Sequence, residues 1–107
     1  MAADDLEAPI QTMIDATNRE DTPAFLDTFA DDAVLIDGGR EFAGKAAIAR
    51  WNAAEHIGTH NRLRVTGVTH SGGQTDVTVA VSGEGYNGTG ILAFRTQDGR
   101  IRHLVIS

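Results

Sequence analysis

The sequence has no cysteine, two prolines, one tryptophan and one tyrosine among its 107 residues. Without cysteine there is no disulfide, no thiolate nucleophile and no cysteine-ligated zinc or iron–sulfur centre. No apolar run approaches the roughly 18 residues of a membrane span, so no membrane contact is expected. Basic residues are scarce too: nine Lys and Arg stand against fifteen Asp and Glu, a formal charge of −6. That balance argues against nucleic acid, whose phosphates want a basic stripe. The opening Met-Ala-Ala-Asp-Asp-Leu-Glu is acidic where a secretion signal is basic and then apolar, which predicts a cytoplasmic protein. The glycines form no phosphate-loop or dinucleotide pattern, so no cofactor is expected.

What remains is an ordinary globular composition, 41% hydrophobic and 22% charged. The length predicts a single domain over residues 1–107, burying about two-thirds of its unfolded surface. It leaves no room for separate cofactor and substrate domains.

Leu6, Ile10, Met13, Ile14 and Thr17 recur at helical spacing and predict a first helix. Pro9 belongs in a first turn, which sets the start near Glu7, and Asp4 and Asp5 suit the dipole there. Thr22-Pro23 reads as an N-cap and first helical residue of a short second helix running through Phe29. Ala33 to Asp37 and Arg40 to Phe42 read as short strands about Gly38-Gly39. A third helix runs from Lys45 to about His56, with Ala47, Ile48, Trp51 and Ala54 as its stripe and Gly58 beyond its end.

After Gly58 the period changes to two. Leu63, Val65 and Val68 mark one strand; Val77, Val79 and Val81 mark a second; Gly90 to Thr96 and Ile101 to Ile106 complete the set. The turns are Ser71-Gly72-Gly73-Gln74, Asn87-Gly88 and Asp98-Gly99. The fold class is α+β, in the order α-α-β-β-α-β-β-β-β, with helices on one face of a curled antiparallel sheet.

Ala16-Thr17-Asn18-Arg19-Glu20-Asp21, Phe29-Ala30-Asp31-Asp32-Ala33-Val34, Asp37 and Phe42-Ala43-Gly44-Lys45-Ala46-Ala47-Ile48 occur in the order seen in a known superfamily. With Ala93-Phe94-Arg95 and Asp98-Gly99-Arg100-Ile101, they make the chain resemble the nuclear-transport-factor-2-like proteins. Within these it is most similar to SnoaL-like polyketide cyclases and ketosteroid isomerases. The resemblance implies a cystatin-like cone, its sheet wrapped round the first helix, with a cavity at one end. It also implies a homodimer through the outer sheet face. Because this fold carries many activities and some inert proteins, fold alone does not name the chemistry.

Asp37 ends an apolar strand and resembles the isomerase carboxylate that shuttles a proton; an apolar pocket would raise its basicity. The plain alternative is that it merely opens a turn. The isomerase's two hydrogen-bond donors would fall at Met13 and about Leu92, neither of which can donate strongly. Trp51 stands at an aromatic pocket position and serves as ligand wall, core, or both. Phe25, Phe29, Met13, Val79, Val81 and Leu92 are further candidates for the wall, and His60 for the mouth.

His56 and His60 are four apart, but Gly58 interrupts any helix between them and no third ligand follows, so no metal is expected. Arg62 and Arg64 leave their strand on one face, to hold an acidic substrate or simply to meet solvent. Gly83 and Gly85 leave room for a ligand or mark a bulge.

Three functions follow as expectations. The first is a cofactor-independent isomerase, cyclase or dehydratase moving protons on an apolar carbonyl-bearing or polycyclic substrate. The second is a non-catalytic ligand-binding or dimerisation module of the same fold. The third is an epoxide hydrolase.

Overall fold

The first helix, α1 (Ala8–Arg19), turns its apolar stripe inward: Ile10, Met13, Ile14, Ala16 and Thr17 are buried. Glu7 is its N-cap, as the position of Pro9 requires, and Glu20 ends it in the left-handed region. The computed structural model describes residues 6–107, so the expected role of Asp4 and Asp5 lies outside the described residues.

Helix α2 (Thr22–Asp27) is capped by Asp21, not Thr22: the Asp21 side chain accepts from the Ala24 amide at 3.1 Å. A carboxylate serves an exposed helix amide at least as well as a hydroxyl, and the frame moves back one residue. The helix also stops at Asp27, two residues short of expectation, because Phe29 is already in β1 (Phe29–Asp37). After β2 (Arg40–Ala43) come α3 (Lys45–Glu55) and a single 3₁₀ turn, Ile57–Thr59. The remaining strands are β3 (Arg62–Ser71), β4 (Gln74–Ser82), β5 (Gly88–Gln97) and β6 (Arg100–Ile106).

The six strands form one curved sheet in the order β2-β1-β6-β5-β4-β3. All neighbours after Gly58 are antiparallel hairpin partners. The expectation of a wholly antiparallel sheet fails at one seam, where β1 and β6 run parallel. The chain leaves β2 through α3, starts again at the far edge, and after three hairpins returns beside β1 in the same sense.

Gly38-Gly39 and Gly72-Gly73 adopt paired positive φ values, as does Asp98-Gly99, which closes two-residue turns in the right-handed twist of the sheet. Asn87-Gly88 does not. Its strands end at Ser82 and begin at Gly88, and the Asn87 side chain closes the five-residue loop by bonding both the amide and the carbonyl of Gly83.

Bulges between Arg95 and Thr96 opposite β6, and between Val65 and Gly67 in β3, shift the strand phase. As a result Ile101 and Leu104, three apart, are both fully buried, where simple alternation would place them on opposite faces.

The inner face of the sheet packs on α1, α2 and α3. Phe25 and Phe29 are fully buried with ring centroids 5.2 Å apart, and Met13 and Val79 are fully buried with them. Each such side chain contributes about 1.5–3 kcal/mol by leaving water. Asn18 pairs its amide with both the N–H (2.8 Å) and the carbonyl (2.9 Å) of Leu63, so a side chain covers part of the free edge of β3 and fixes it to α1.

Candidate functional site

A cavity of about 310 Å³ opens where the ends of β1 and β6, the start of β3, the loop after β4 and the end of α3 converge. The inward residues at these ends are Trp51, Leu63, Val81, Leu92 and Ile106, so most of the wall is apolar. Gly90 completes it from β5. A Cβ there would meet Val81, Val79 and the Ser107 carbonyl at ordinary contact distances of 3.7–3.9 Å, so a methyl would fit against them without a clash. Gly90 belongs to the cavity wall and Gly83 and Gly85 do not; Gly83 packs on Asn61, and a Cβ would stand 2.9 Å from its Oδ1.

Asp37 lies at the cavity rim. The Trp51 indole N–H donates to its Oδ2 at 2.9 Å, and Arg40 donates to the same oxygen at 3.3 Å. No donor among the described residues reaches Oδ1. Arg40 is held chiefly by Glu55, at 2.6 and 2.8 Å, so one guanidinium bridges two carboxylates at the mouth. The Arg40 hydrogen bond holds Glu55 below the usual carboxylate range, against a small opposing effect of burial. The register that sets Asp37 opposite Arg40 follows from the two-residue turn at Gly38-Gly39.

Behind Trp51 lies His56, its ring stacked on the indole at 4.9 Å and 20°. His56 is buried, and that burial pushes its pKa down to about 4, so the ring is neutral at neutral pH. The Thr17 hydroxyl donates to the Met13 carbonyl at 2.9 Å, and therefore accepts from His56 Nε2–H at 3.0 Å. Nδ1 is left as an acceptor and takes a hydrogen from the Asn61 amide at 3.1 Å. The single Thr59 hydroxyl hydrogen faces two acceptors, the His56 carbonyl at 3.0 Å and Asn61 Oδ1 at 3.2 Å. His56 and Asn61 both belong to the cavity wall.

Of the residues singled out from sequence, Asp37, Trp51, Val81 and Leu92 come together around this cavity. Met13, Phe25, Phe29 and Val79 lie in the close-packed core instead. His60 stands outside, its ring nitrogens 3.0 Å from Glu20 and 4.0 Å from Glu84, in a surface charge cluster that Arg62 joins. The left-handed backbone at His60 turns its side chain outward. Arg62 and Arg64 pair with Ser82 and Ala80 on the outer face and do not look into the cavity. Among the described residues, no three His, Asp or Glu side chains gather as a metal site. No helix there is long and apolar enough to cross a membrane.

Sequence reasoning passed over His56 and Asn61 as site residues, and also Gly90 and Tyr86. The first two sit at the junction of helix, turn and strand, where no periodicity points inward. Tyr86 is more than half exposed beside the cavity, and its hydroxyl donates to the Thr89 carbonyl at 2.7 Å.

This curved sheet, closed on a long helix with an apolar cavity at one end, defines a class of small cone-shaped pocket proteins. The chain belongs to the SnoaL-like domain family, whose model matches residues 10–104, within the nuclear-transport-factor-2-like superfamily. A candidate polyketide cyclase of Sinorhizobium meliloti is 33% identical, with all of both chains covered and a TM-score of 0.91. A candidate ketosteroid isomerase of Kribbella flavida shares the fold at 19% identity and a TM-score of 0.80, over 94% of this chain and 74% of that one. A cystatin-fold protein of Novosphingobium aromaticivorans does so at 14% and 0.81, over 100% and 98%. No curated protein matches the sequence.

Proposed function

We propose that the protein is a cofactor-independent enzyme of the isomerase, cyclase or dehydratase kind, moving a proton on a small apolar carbonyl compound held in this cavity. The observation that carries the reading is the environment of Asp37. It is the rim carboxylate that Trp51 orients through Oδ2, and its Oδ1 has no donor among the described residues. A base needs this combination of a fixed direction and a vacant lone pair. The apolar wall suits a substrate with few polar groups, and a cavity of about 310 Å³ is at the lower end of ligand pockets.

Titrating the single tryptophan's fluorescence with polycyclic ketones and small enones tests whether the cavity takes such ligands. The response is expected to saturate in the native protein and to vanish in Gly90→Phe, whose ring would project from the cavity wall. An unchanged response in Gly90→Phe would place binding elsewhere.

The epoxide-hydrolase reading is weaker. Arg40 does bridge two carboxylates, but epoxide opening needs one of them as a proton donor, and Arg40 holds Glu55 in its ionised form. The non-catalytic alternative rests on Met13 and Leu92, apolar where the isomerase places donors.

The assembly proposed is a homodimer through the outer sheet face. Val34, Ile36, Ala93 and Val105 are half-buried there, and Ile91 is 43% exposed, an apolar patch across adjacent strands. Ile91→Arg is expected to shift the protein to monomer in analytical ultracentrifugation. A native protein sedimenting as a monomer would remove the dimer from the proposal.

A further inference from the structure

The expected donors for a developing enolate are missing at Met13 and Leu92, which leaves that role to other polar groups of the cavity wall. His56 is spent on both sides, donating to Thr17 and accepting from Asn61. Tyr86 already donates to a backbone carbonyl and is largely exposed. Asn61 is different. It is 8% exposed and part of the cavity wall, and its amide nitrogen has two hydrogens. His56 takes one, and no acceptor among the described residues takes the other.

Resting on the proton-transfer reading above, we propose that Asn61 is a catalytic residue that donates this second amide hydrogen to the substrate carbonyl oxygen. Asp37 ends β1 and Asn61 precedes β3, with three strands of the sheet between them, so base and donor face the cavity from different sides. In the reaction a C–H bond next to the carbonyl breaks and an O–H bond forms on Asp37. The released electron pair becomes the enolate double bond, and the carbonyl π pair moves to oxygen, where the Asn61 hydrogen bond strengthens. Asp37 then returns the proton to another carbon, so no other reactant is consumed.

The amide is held in one orientation by a chain of bonds. Met13 accepts from Thr17, Thr17 from His56, and His56 from Asn61. Because the neutral ring offers a lone pair at Nδ1, nitrogen and not oxygen must face it. Gly83 leaves the Asn61 oxygen close cover on the other side, so the amide has little freedom to turn. Such preorganised donors are what stabilise developing charge.

The test uses 2-naphthol, whose oxygen mimics the enolate, and naphthalene, which has none. Calorimetric titration of Asn61→Ala is expected to show naphthol binding weakened roughly tenfold with naphthalene binding unchanged, which also shows the variant folded. In the native protein the Asn61 side-chain amide resonances should move on adding naphthol and stay on adding naphthalene. Equal weakening of both ligands, or a still Asn61 amide while naphthol binds, would overturn the assignment. If neither ligand binds the native protein, the pocket reading falls and this inference falls with it.

Discussion

The Asp37→Asn variant is expected to lose about two to four orders of magnitude in kcat on any ketone or enone that the fluorescence titration selects, with KM little changed. Asparagine keeps the shape and offers one oxygen to the Trp51 indole and Arg40, which now share Oδ2 at 2.9 and 3.3 Å. Only the ability to take a proton is lost. The fold should tolerate the change, because the Asp37–Arg40 pair is half in solvent and such pairs contribute about 0–1 kcal/mol. Arg40 retains Glu55 in any case. Asp37→Ala is a poorer probe, since it leaves the N–H of a tryptophan only 3% exposed without its acceptor, at a cost of about 1–3 kcal/mol. The measurement is steady-state turnover of native and variant protein beside their thermal melts. A kcat loss of less than about tenfold with the melt unchanged would remove Asp37 as the base and leave a binding protein of this fold.

The fold was legible where one local rule decided the outcome. Ile10, Met13, Ile14 and Thr17 lie on one turn-by-turn stripe, and the structure buries that stripe. Glycine pairs at 38–39 and 72–73 supplied the positive φ that a two-residue turn demands. Legibility ended where a long-range contact overrode the rule. Asn87-Gly88 has the composition of a tight turn, but the Asn87 side chain finds both backbone groups of Gly83 and holds a longer loop. The bulges that bring Ile101 and Leu104 to the same face leave no mark in an alternating pattern. The parallel seam between β1 and β6 depends on the path of the whole chain, which no segment carries.

The site divides the same way. Asp37 and Trp51 could be placed by the elements that carry them, a strand end and a helix stripe, and the geometry adds the 2.9 Å bond between them. Asn61 and His56 could not, because their roles are set by Thr17 and Met13, some forty residues earlier. Gly90 was invisible for another reason: it contributes no side chain, and only the fold brings its backbone to the cavity wall.

Acidification is expected to destabilise the protein through His56 before most carboxylates protonate. In the unfolded chain a histidine titrates near 6.5; in the folded protein burial lowers His56 to about 4. Above pH 6.5 the ring is neutral in both states and contributes no pH dependence. Between 6.5 and 4 the unfolded chain binds a proton that the folded protein refuses, so stability falls as pH falls. Near and below 4 the folded ring also protonates and the loss is complete, on the order of 3 kcal/mol. Protonation there puts a hydrogen on Nδ1, facing the Asn61 amide, so donor meets donor. Glu55, the neighbouring residue, is held below its ordinary range by the hydrogen bond from Arg40. Urea unfolding at successive pH values between 7 and 4 should show this slope. His56→Gln, less stable at pH 7 because Thr17 and Asn61 lose a matched partner, should show a distinctly smaller one. Equal slopes in the two proteins would mean that the buried ring is not the group that titrates.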